Sequence, residues 1–229
     1  MKKIIIIIVL FLIFAPVTQG VEVLEGDIRF IDEHKSNRYL GEGDAFFELD
    51  YVQWYEGGAP IGGEDWLHLL HIFGNDDEEG MFKIHTYDEN RERLRTLVET
   101  DVTYSGLIGQ DFYRDEDAQY LRVEGGGEWD IEQYLLGSSP DRLKHVEDYA
   151  QFSGDSVVLI GPDIEEDKRV FISTQAKATV KAWGSGITYY DTNHAINNEA
   201  FIMEASDQAI EVRTRPGADV YMEVEDVAD

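Results

Sequence analysis

Residues 178–190, ATVKAWGSGITYY, place two short β-strand patterns around a glycine turn. Ala178–Trp183 alternates apolar or small side chains with polar ones, and Ile187–Tyr190 is rich in β-branched and aromatic residues. Between them, Gly184-Ser185-Gly186 is typical of a hairpin turn. This stretch therefore predicts two strands joined by a tight connection.

The same pattern of short strands separated by turn signals extends through the chain on both sides of this hairpin. Further strands are expected at Ile28–Ile31, Phe46–Tyr55, Trp66–Phe73, Phe82–Tyr87, Tyr120–Glu124, Ser156–Ile160, Val170–Ser173, Ala200–Glu204, Ile210–Thr214 and Val220–Val224. Turn signals rich in Gly, Asn and Asp separate them. Many short strands at this spacing, with no long helical pattern, predict an all-β protein with antiparallel, jelly-roll-like β-sandwich architecture.

Two segments depart from this simple pattern. Ser139 as an N-cap before a proline, followed by Leu143, Val146 and Ala150 on one face, predicts a short connecting helix. Residues 90–100 fit both a helical stripe and one face of a strand. The β-rich context favours the strand for that second segment.

The two halves of the chain resemble each other faintly. Phe82–Tyr87 and Ala178–Trp183 show the same alternation of apolar or small residues with polar ones, and each segment ends in an aromatic residue. Leu121-Arg-Val123, followed by Ile131, aligns with Ile210-Glu-Val212, followed by Val220. Two tandem sandwich lobes explain these matches, and convergent strand patterning explains them nearly as well.

The domain organisation follows from these patterns. We expect a signal peptide at residues 1–20, a first lobe at 21–137, a connector with a short helix at 138–152 and a second lobe at 153–229.

The first twenty residues have the pattern of an export signal. Lys2 and Lys3 precede the uninterrupted apolar run Ile4–Phe14, and small residues favour cleavage near Gly20-Val21. A run of this length is too short to cross roughly 30 Å of hydrocarbon. We therefore expect a secreted or cell-surface protein that does not contact the membrane after cleavage.

The charge of the chain limits its partners. It has 47 acidic residues against 19 Lys and Arg, a formal charge of −28, and cleavage of the signal would make it −30. Such a polyanion is repelled by nucleic acids and by anionic membranes. The absence of cysteine excludes disulfides, Cys-ligated metals and a thiol nucleophile. With 43% hydrophobic residues, the chain can nevertheless build a packed core.

Common catalytic signatures are absent from the sequence. It contains no nucleophile elbow, P-loop, zinc-protease motif or dinucleotide fingerprint, and Ser185 lies in a predicted hairpin turn. His68 and His71 are three residues apart in a strand that we expect to be buried, so they would point to opposite sides. A pair of Asp or Glu residues could hydrolyse or cleave a glycan, but so acidic a chain offers such pairs by chance.

Calcium is the metal that suits an acidic exported protein. Carboxylates are concentrated beside turn signals, at Asp76, Asp77, Glu78 and Glu79, at Asp115 and Asp117, and at Asp163 and Asp167. Ca²⁺ takes several oxygen ligands of this kind. Solvated turn tips are the alternative interpretation. We predict no required cofactor.

Aromatic residues near loops suggest a surface for sugars. Trp54, Tyr55, Trp129, Tyr189 and Tyr190 lie beside turn signals, where a ring could stack on a pyranose. Packing in the core is the alternative, especially for Trp129.

Together these features predict a secreted, non-enzymatic β-sandwich surface or matrix protein. It would act by adhesion, by carbohydrate or calcium binding, or by self-assembly, with an extracellular glycan or a surface protein as its partner. The alternative is a secreted carbohydrate-active hydrolase or lyase that uses paired Asp and Glu residues. The sequence alone does not select a ligand.

Overall fold

A computed structural model describes residues 22–32, 36–50, 55–56, 59–60, 67–75, 80–111, 118–135, 143–160, 167–183, 187–195, 199–203 and 209–227. Within these ranges the chain contains β-strands, turns and bends and no helix. The all-β prediction is therefore confirmed. No helix in the described ranges is long and apolar enough to cross a membrane.

The described strands, in chain order, are β1 Val23–Glu25, β2 Ile28–Asp32, β3 Ser36–Glu42, β4 Ala45–Glu48, β5 Tyr55–Glu56, β6 Ala59–Pro60, β7 Leu67–Gly74, β8 Phe82–Tyr87, β9 Arg93–Thr100, β10 Tyr104–Asp111, β11 Tyr120–Glu124, β12 Glu128–Leu135, β13 Lys144–Val146, β14 Tyr149–Ser153, β15 Ser156–Ile160, β16 Lys168–Thr174, β17 Lys177–Trp183, β18 Ile187–Ala195, β19 Glu199–Met203, β20 Ala209–Thr214 and β21 Asp219–Asp226.

Four sheets contain all of these strands except β5 and β6, which form a separate ribbon. Sheet I has the order β1-β4-β11-β8-β9, and sheet II has the order β10-β7-β12-β3-β2. Sheet III has the order β13-β15-β20-β17-β18, and sheet IV has the order β14-β21-β16-β19. The described pairings are antiparallel, except that β13 runs parallel to β15.

Sheets I and II together have the strand order of a jelly roll, and sheets III and IV repeat it. Strands β3-β12-β7-β10 of sheet II correspond in order to β14-β21-β16-β19 of sheet IV. Strands β4-β11-β8-β9 of sheet I correspond to β15-β20-β17-β18 of sheet III. The segments that align in the sequence lie on corresponding strands, β8 with β17, β11 with β20 and β12 with β21. The lobe boundaries stay predictions.

Each sheet pair encloses an apolar core. Between sheets I and II the buried residues include Tyr39, Phe47, Phe82 and Trp129. The rings of Phe47 and Trp129 are stacked with centroids 5.7 Å apart. Between sheets III and IV the core is mostly aliphatic and includes Val180, Val212 and Met222. These cores come from the period-two alternation, since every second side chain of a strand faces the same side.

A third apolar cluster joins the two pairs. Leu69, Leu107 and Tyr134 on the outer face of sheet II pack against the outer face of sheet III, which contributes Val157, Leu159, Trp183 and Ala209. The sheets therefore stack in the order I, II, III, IV. This order leaves the outer faces of sheets I and IV at the two ends.

The helix predicted after Ser139 is wrong where the structure describes it. Val146 ends β13 and Ala150 lies in β14, and both side chains enter the core between sheets III and IV. Spacings of three and four residues fit a helix, but here the same residues form two short strands around the bend at 147–148. The sheet edges beside β15 and β21 supply the backbone partners that outweigh local helix propensity. Ser139 itself lies outside the described residues.

The strand predicted at residues 46–55 is also too long. In the described part, β4 ends at Glu48 and β5 begins at Tyr55. The ambiguous segment 90–100 does contain a strand, β9. Strands β1, β3, β6, β10, β12, β13 and β14 are additional to the predicted series.

Candidate functional site at the outer face of sheet IV

The outer face of sheet IV presents exposed aromatic side chains at one end of the stack. Tyr149 of β14 is 58% exposed, and Tyr221 of β21 is 42% exposed. Glu223 lies directly opposite Tyr149 on one side and Phe171 of β16 on the other. Three aromatic rings thus surround a central carboxylate on a surface about 10 Å across, given the spacing of neighbouring strands.

The rest of this face is mainly polar, with an exposed aliphatic residue at one end. Tyr221 lies between Gln151 and Ser173 in the next row of residues. On the opposite side of Glu223, Arg169 pairs with Ile202, which is exposed. The face therefore combines rings that can stack with side chains that can donate or accept hydrogen bonds.

Strand alternation explains why these side chains point outward. In β21, Val220, Met222 and Val224 are buried in the core while the residues between them are exposed. Because directly paired residues share a face, Tyr149 and Phe171 follow Glu223 to the outside. No described ion pair involves Glu223.

The outer face of sheet I, at the other end of the stack, carries a second aromatic group. The ring of Phe46 lies 5.1 Å from that of Tyr87 and 5.6 Å from that of Tyr120, between centroids. Arg91 lies over the Tyr120 ring at 5.6 Å. Arg122 forms ion pairs with Glu25 at 3.2 Å and with Glu124 at 3.1 Å. This end is therefore less exposed and more neutralised than sheet IV.

Polar contacts around Asp155 fasten the two sheet pairs together. Its Oδ2 atom accepts a hydrogen bond of 2.6 Å from the Tyr104 hydroxyl, and its Oδ1 atom accepts one of 2.7 Å from the backbone N–H of Thr214. Burial, with the nearby Asp155 charge second, raises the pKa of Tyr104 far above its ordinary value, so it stays a donor. Arg213 approaches Asp155 at 3.7 Å and donates to the Leu97 carbonyl.

A second buried charge lies nearby in sheet III. Glu211 is 0% exposed, and its Oε1 atom accepts a hydrogen bond of 3.2 Å from the backbone N–H of Gly109 in sheet II. Its Oε2 atom forms an ion pair of 3.4 Å with Lys181, whose ammonium also lies 5.3 Å from the centroid of the Trp183 ring. The Glu211 carboxylate is therefore held by the ammonium of Lys181 in its own sheet and by the N–H of Gly109 in the other sheet pair.

A groove of about 490 Å³ runs beside this junction. It is lined by His71, Glu132 and Asp155, together with Ser105, Ser153 and Ser156. A glycan hydrolase would need two carboxylates free to act on the sugar. Asp155 is instead engaged by Tyr104 and Thr214, so the described groove does not favour the paired-acid enzyme.

His68 and His71 lie on opposite faces of β7. His68 is buried toward the core of sheets I and II, whereas His71 is exposed in the groove. Burial lowers the pKa of His68 from 6.5 to about 3, so its ring is neutral. The Gln133 amide nitrogen lies 3.4 Å from the His68 Nδ1 atom. The described residues contain no group of three or more potential metal-ligating side chains.

One of the aromatic residues proposed for sugar binding is placed in the core. Trp129 is 2% exposed, stacks on Phe47 and donates a hydrogen bond of 2.9 Å to the Gly43 carbonyl. It presents no ring face to a sugar, and that prediction is wrong. Trp54 lies outside the described residues, and the side chains of Tyr55, Tyr189 and Tyr190 are not described although their strands are.

Most of the proposed calcium ligands cannot be placed. Asp76, Asp77, Glu78, Glu79, Asp115, Asp117 and Asp163 lie outside the described residues. Asp167 is exposed immediately before β16. Calcium binding therefore stays a prediction.

Tyr221 and Phe171 were missed as candidates because they lie within strands and not near turn signals, and Tyr149 because it lies in the segment predicted to be a helix. A usable signal exists in residues 219–226, DVYMEVED, where an aromatic occupies the polar side of strict alternation. An aromatic at such a position is predicted to face solvent.

No family model and no curated protein sequence matches this chain. Among solved structures, the cupin 2 conserved barrel domain protein from Leptotrichia buccalis is 8% identical with a TM-score of 0.25, covering 90% of this chain and 91% of that one. The CUB1-EGF-CUB2 domains of rat MASP-1 are 7% identical with a TM-score of 0.24, covering 86% and 96%. The protein YhaK from Escherichia coli is 8% identical with a TM-score of 0.25, covering 90% and 93%. Similarity this low carries no argument about function.

Proposed function

We propose that this chain is an exported, non-enzymatic β-sandwich surface or matrix protein that acts by adhesion through the outer face of sheet IV. One observation carries the proposal: Tyr149 and Tyr221, at diagonal positions of two paired strands on the same sheet face, are 58% and 42% exposed. Large exposed aromatics on an otherwise polar surface are typical of contact sites. The export pattern at residues 1–20 supports an extracellular role.

Carbohydrate is one class of ligand that suits this face. Aromatic rings cover the C–H groups of a sugar, while Gln151, Glu223 and Arg169 could bind its hydroxyls. The repeated strand order of the sheet pairs supports a tandem arrangement of two related lobes, with this face on the second.

A comparison of exposed aromatic positions tests adhesion. The double variant Tyr149→Ser, Tyr221→Ser should lose retention on a glycan array and on surfaces coated with the protein itself, with an unchanged melting temperature. Phe73→Ser is the matched control, because Phe73 is also 42% exposed but lies on sheet II. Equal retention of the double variant, the control and the parent protein on both supports would overturn the proposal.

A further inference from the structure

We propose that copies of this chain stack head to tail, with the outer face of sheet IV of one copy against the outer face of sheet I of the next. The inference rests on the proposed adhesive function and names a second copy as the partner. The stacking contact would repeat, between molecules, the packing of sheet II on sheet III within one chain.

The strand order supplies the first argument. Sheets II and IV have equivalent strand orders, and so do sheets I and III. Sheet IV thus corresponds to sheet II, and sheet I corresponds to sheet III. A contact between sheet IV of one copy and sheet I of the next is therefore of the same type as the contact between sheets II and III within the chain. Within the chain that contact is built from apolar residues such as Leu69, Tyr134 and Trp183. The fold has already formed this type of interface once.

The uncapped ends supply the second argument. Arrays of stacked repeats need polar outer faces on their terminal units to stay separate. Here Tyr149 and Tyr221 are exposed at the sheet IV end. At the sheet I end, the partly exposed rings of Phe46 and Tyr87 lie on the outer face beside Tyr120, which is 8% exposed. Both end faces thus offer aromatic surface to a partner.

Charge favours sheet I as the partner over a second sheet IV. Among the described residues, the outer face of sheet IV carries Asp219, Glu223 and Glu225 against the single cation Arg169. Two such faces would repel each other. The outer face of sheet I sets the cations Lys83, Arg91, Arg93 and Arg122 against the acids Glu22, Glu25, Glu48, Glu99 and Glu124. Because ion pairs balance most of its charge, this face repels the acidic face of sheet IV less than a second copy of that acidic face would.

The geometry has a consequence for assembly size. A contact between two different faces leaves one unused face at each end of every oligomer, so growth continues unless the rotation closes a ring. The net charge of −28 opposes this growth at low ionic strength. Because the Debye length falls to about 3 Å at 1 M salt, association should strengthen as salt is added.

Sedimentation of the purified protein with two single-face variants tests the inference. Tyr221→Glu places a further acid on sheet IV, and Arg122→Glu replaces a cation by an acid on the outer face of sheet I. In 1 M NaCl the parent protein should increase in mass with concentration without a dimer plateau. Each variant alone should be monomeric, with association at least about tenfold weaker. An equimolar mixture should form dimers, because each variant retains the face that the other has lost.

The controls separate this inference from the proposed function. Phe73→Glu should assemble like the parent protein, and Lys83→Glu replaces Arg122→Glu if the latter does not fold by circular dichroism. A dimer plateau for the parent protein, with Arg122→Glu still dimeric, would indicate a two-fold contact through sheet IV and overturn the inference. Monomers at every concentration, with glycan retention through Tyr149 and Tyr221, would overturn the inference and leave the adhesive function intact. If the sheet IV variants keep both self-association and glycan retention, the inference and the proposed function are both overturned.

Discussion

Replacing Lys181 by methionine should destabilise the protein strongly, because it removes the cation paired with a fully buried carboxylate. Glu211 is 0% exposed, and Lys181 lies 3.4 Å from its Oε2 atom. Removal of one partner from a buried ion pair typically costs about 3–5 kcal/mol. In a chain of this size, each kcal/mol lowers the melting temperature by about 2–4 °C. Methionine keeps most of the side-chain volume, so the charge is the main change.

The measurement is urea unfolding followed by tryptophan fluorescence at neutral pH, with the slope m compared between variants. Lys168→Met is the matched control. Lys168 pairs with Asp226 at the surface, where the Asp226 side chain is 78% exposed. A surface pair of this kind contributes about 0–1 kcal/mol. The control variant should therefore unfold close to the parent protein.

The double variant Lys181→Met, Glu211→Gln tests the cause. Glutamine is neutral, and its amide oxygen can still accept the hydrogen bond from the Gly109 N–H that Glu211 accepts at 3.2 Å. Because no isolated charge is left behind, the double variant should recover most of the lost stability. A Lys181→Met variant within about 1 kcal/mol of the parent protein, or a double variant no better than the single one, would refute the reasoning.

Two further predictions concern pH and calcium. Burial lowers the pKa of His68 to about 3, so the unfolded chain binds a proton below pH 6.5 that the folded protein does not; stability is complete above pH 6.5 and falls toward pH 3. Between pH 7 and pH 4.5, the free energy of unfolding of His68→Gln, measured with urea, should fall by about 2–3 kcal/mol less than that of the parent protein. An equal fall in both proteins would contradict this. Millimolar Ca²⁺ should raise the melting temperature through Asp76, Asp77, Glu78 and Glu79, and their amide variants should not respond. Calorimetry without heat and an unchanged melting temperature in the parent protein would remove the calcium proposal.

Phe82–Tyr87, Tyr120–Glu124 and Ser156–Ile160 were predicted with the bounds that the structure gives them. In the first two segments the core-facing side chains are mostly apolar, so period-two alternation is visible without knowledge of the partners. In Ser156–Ile160 the apolar residues occupy both faces, because sheet III packs against sheet II as well as sheet IV, and a short continuous apolar run also predicts a strand. The strand in residues 90–100 was also resolved by its β-rich context.

Two of the strands that were missed, β3 and β10, contain a glycine on their core-facing side. A Cβ atom on Gly41 of β3 would lie 2.3 Å from the Trp129 ring, and one on Gly106 of β10 would lie 2.4 Å from the Tyr104 hydroxyl. These glycines make room for aromatic groups that lie across the sheet or beside them. In the sequence these glycines resemble turn signals. The sequence does not show that the Trp129 ring lies against Gly41, or that the Tyr104 side chain points toward Gly106. Strand bounds at such positions depend on tertiary packing.

The candidate site could not be predicted from the sequence because alternation separates the two faces of a strand but does not show which face another sheet covers. In β7 the chain has apolar residues on both faces, and Leu70 enters the core while Leu69 packs against sheet III. In β21, the strand that neighbours the β7 equivalent in sheet IV, apolar residues occupy only the core face and Tyr221 stands among acids on the other. In the part of the chain that the structure describes, sheet III covers the outer face of sheet II, and no sheet covers the outer face of sheet IV. The exposed Tyr221 therefore lies on the face that we propose a second copy of the chain covers.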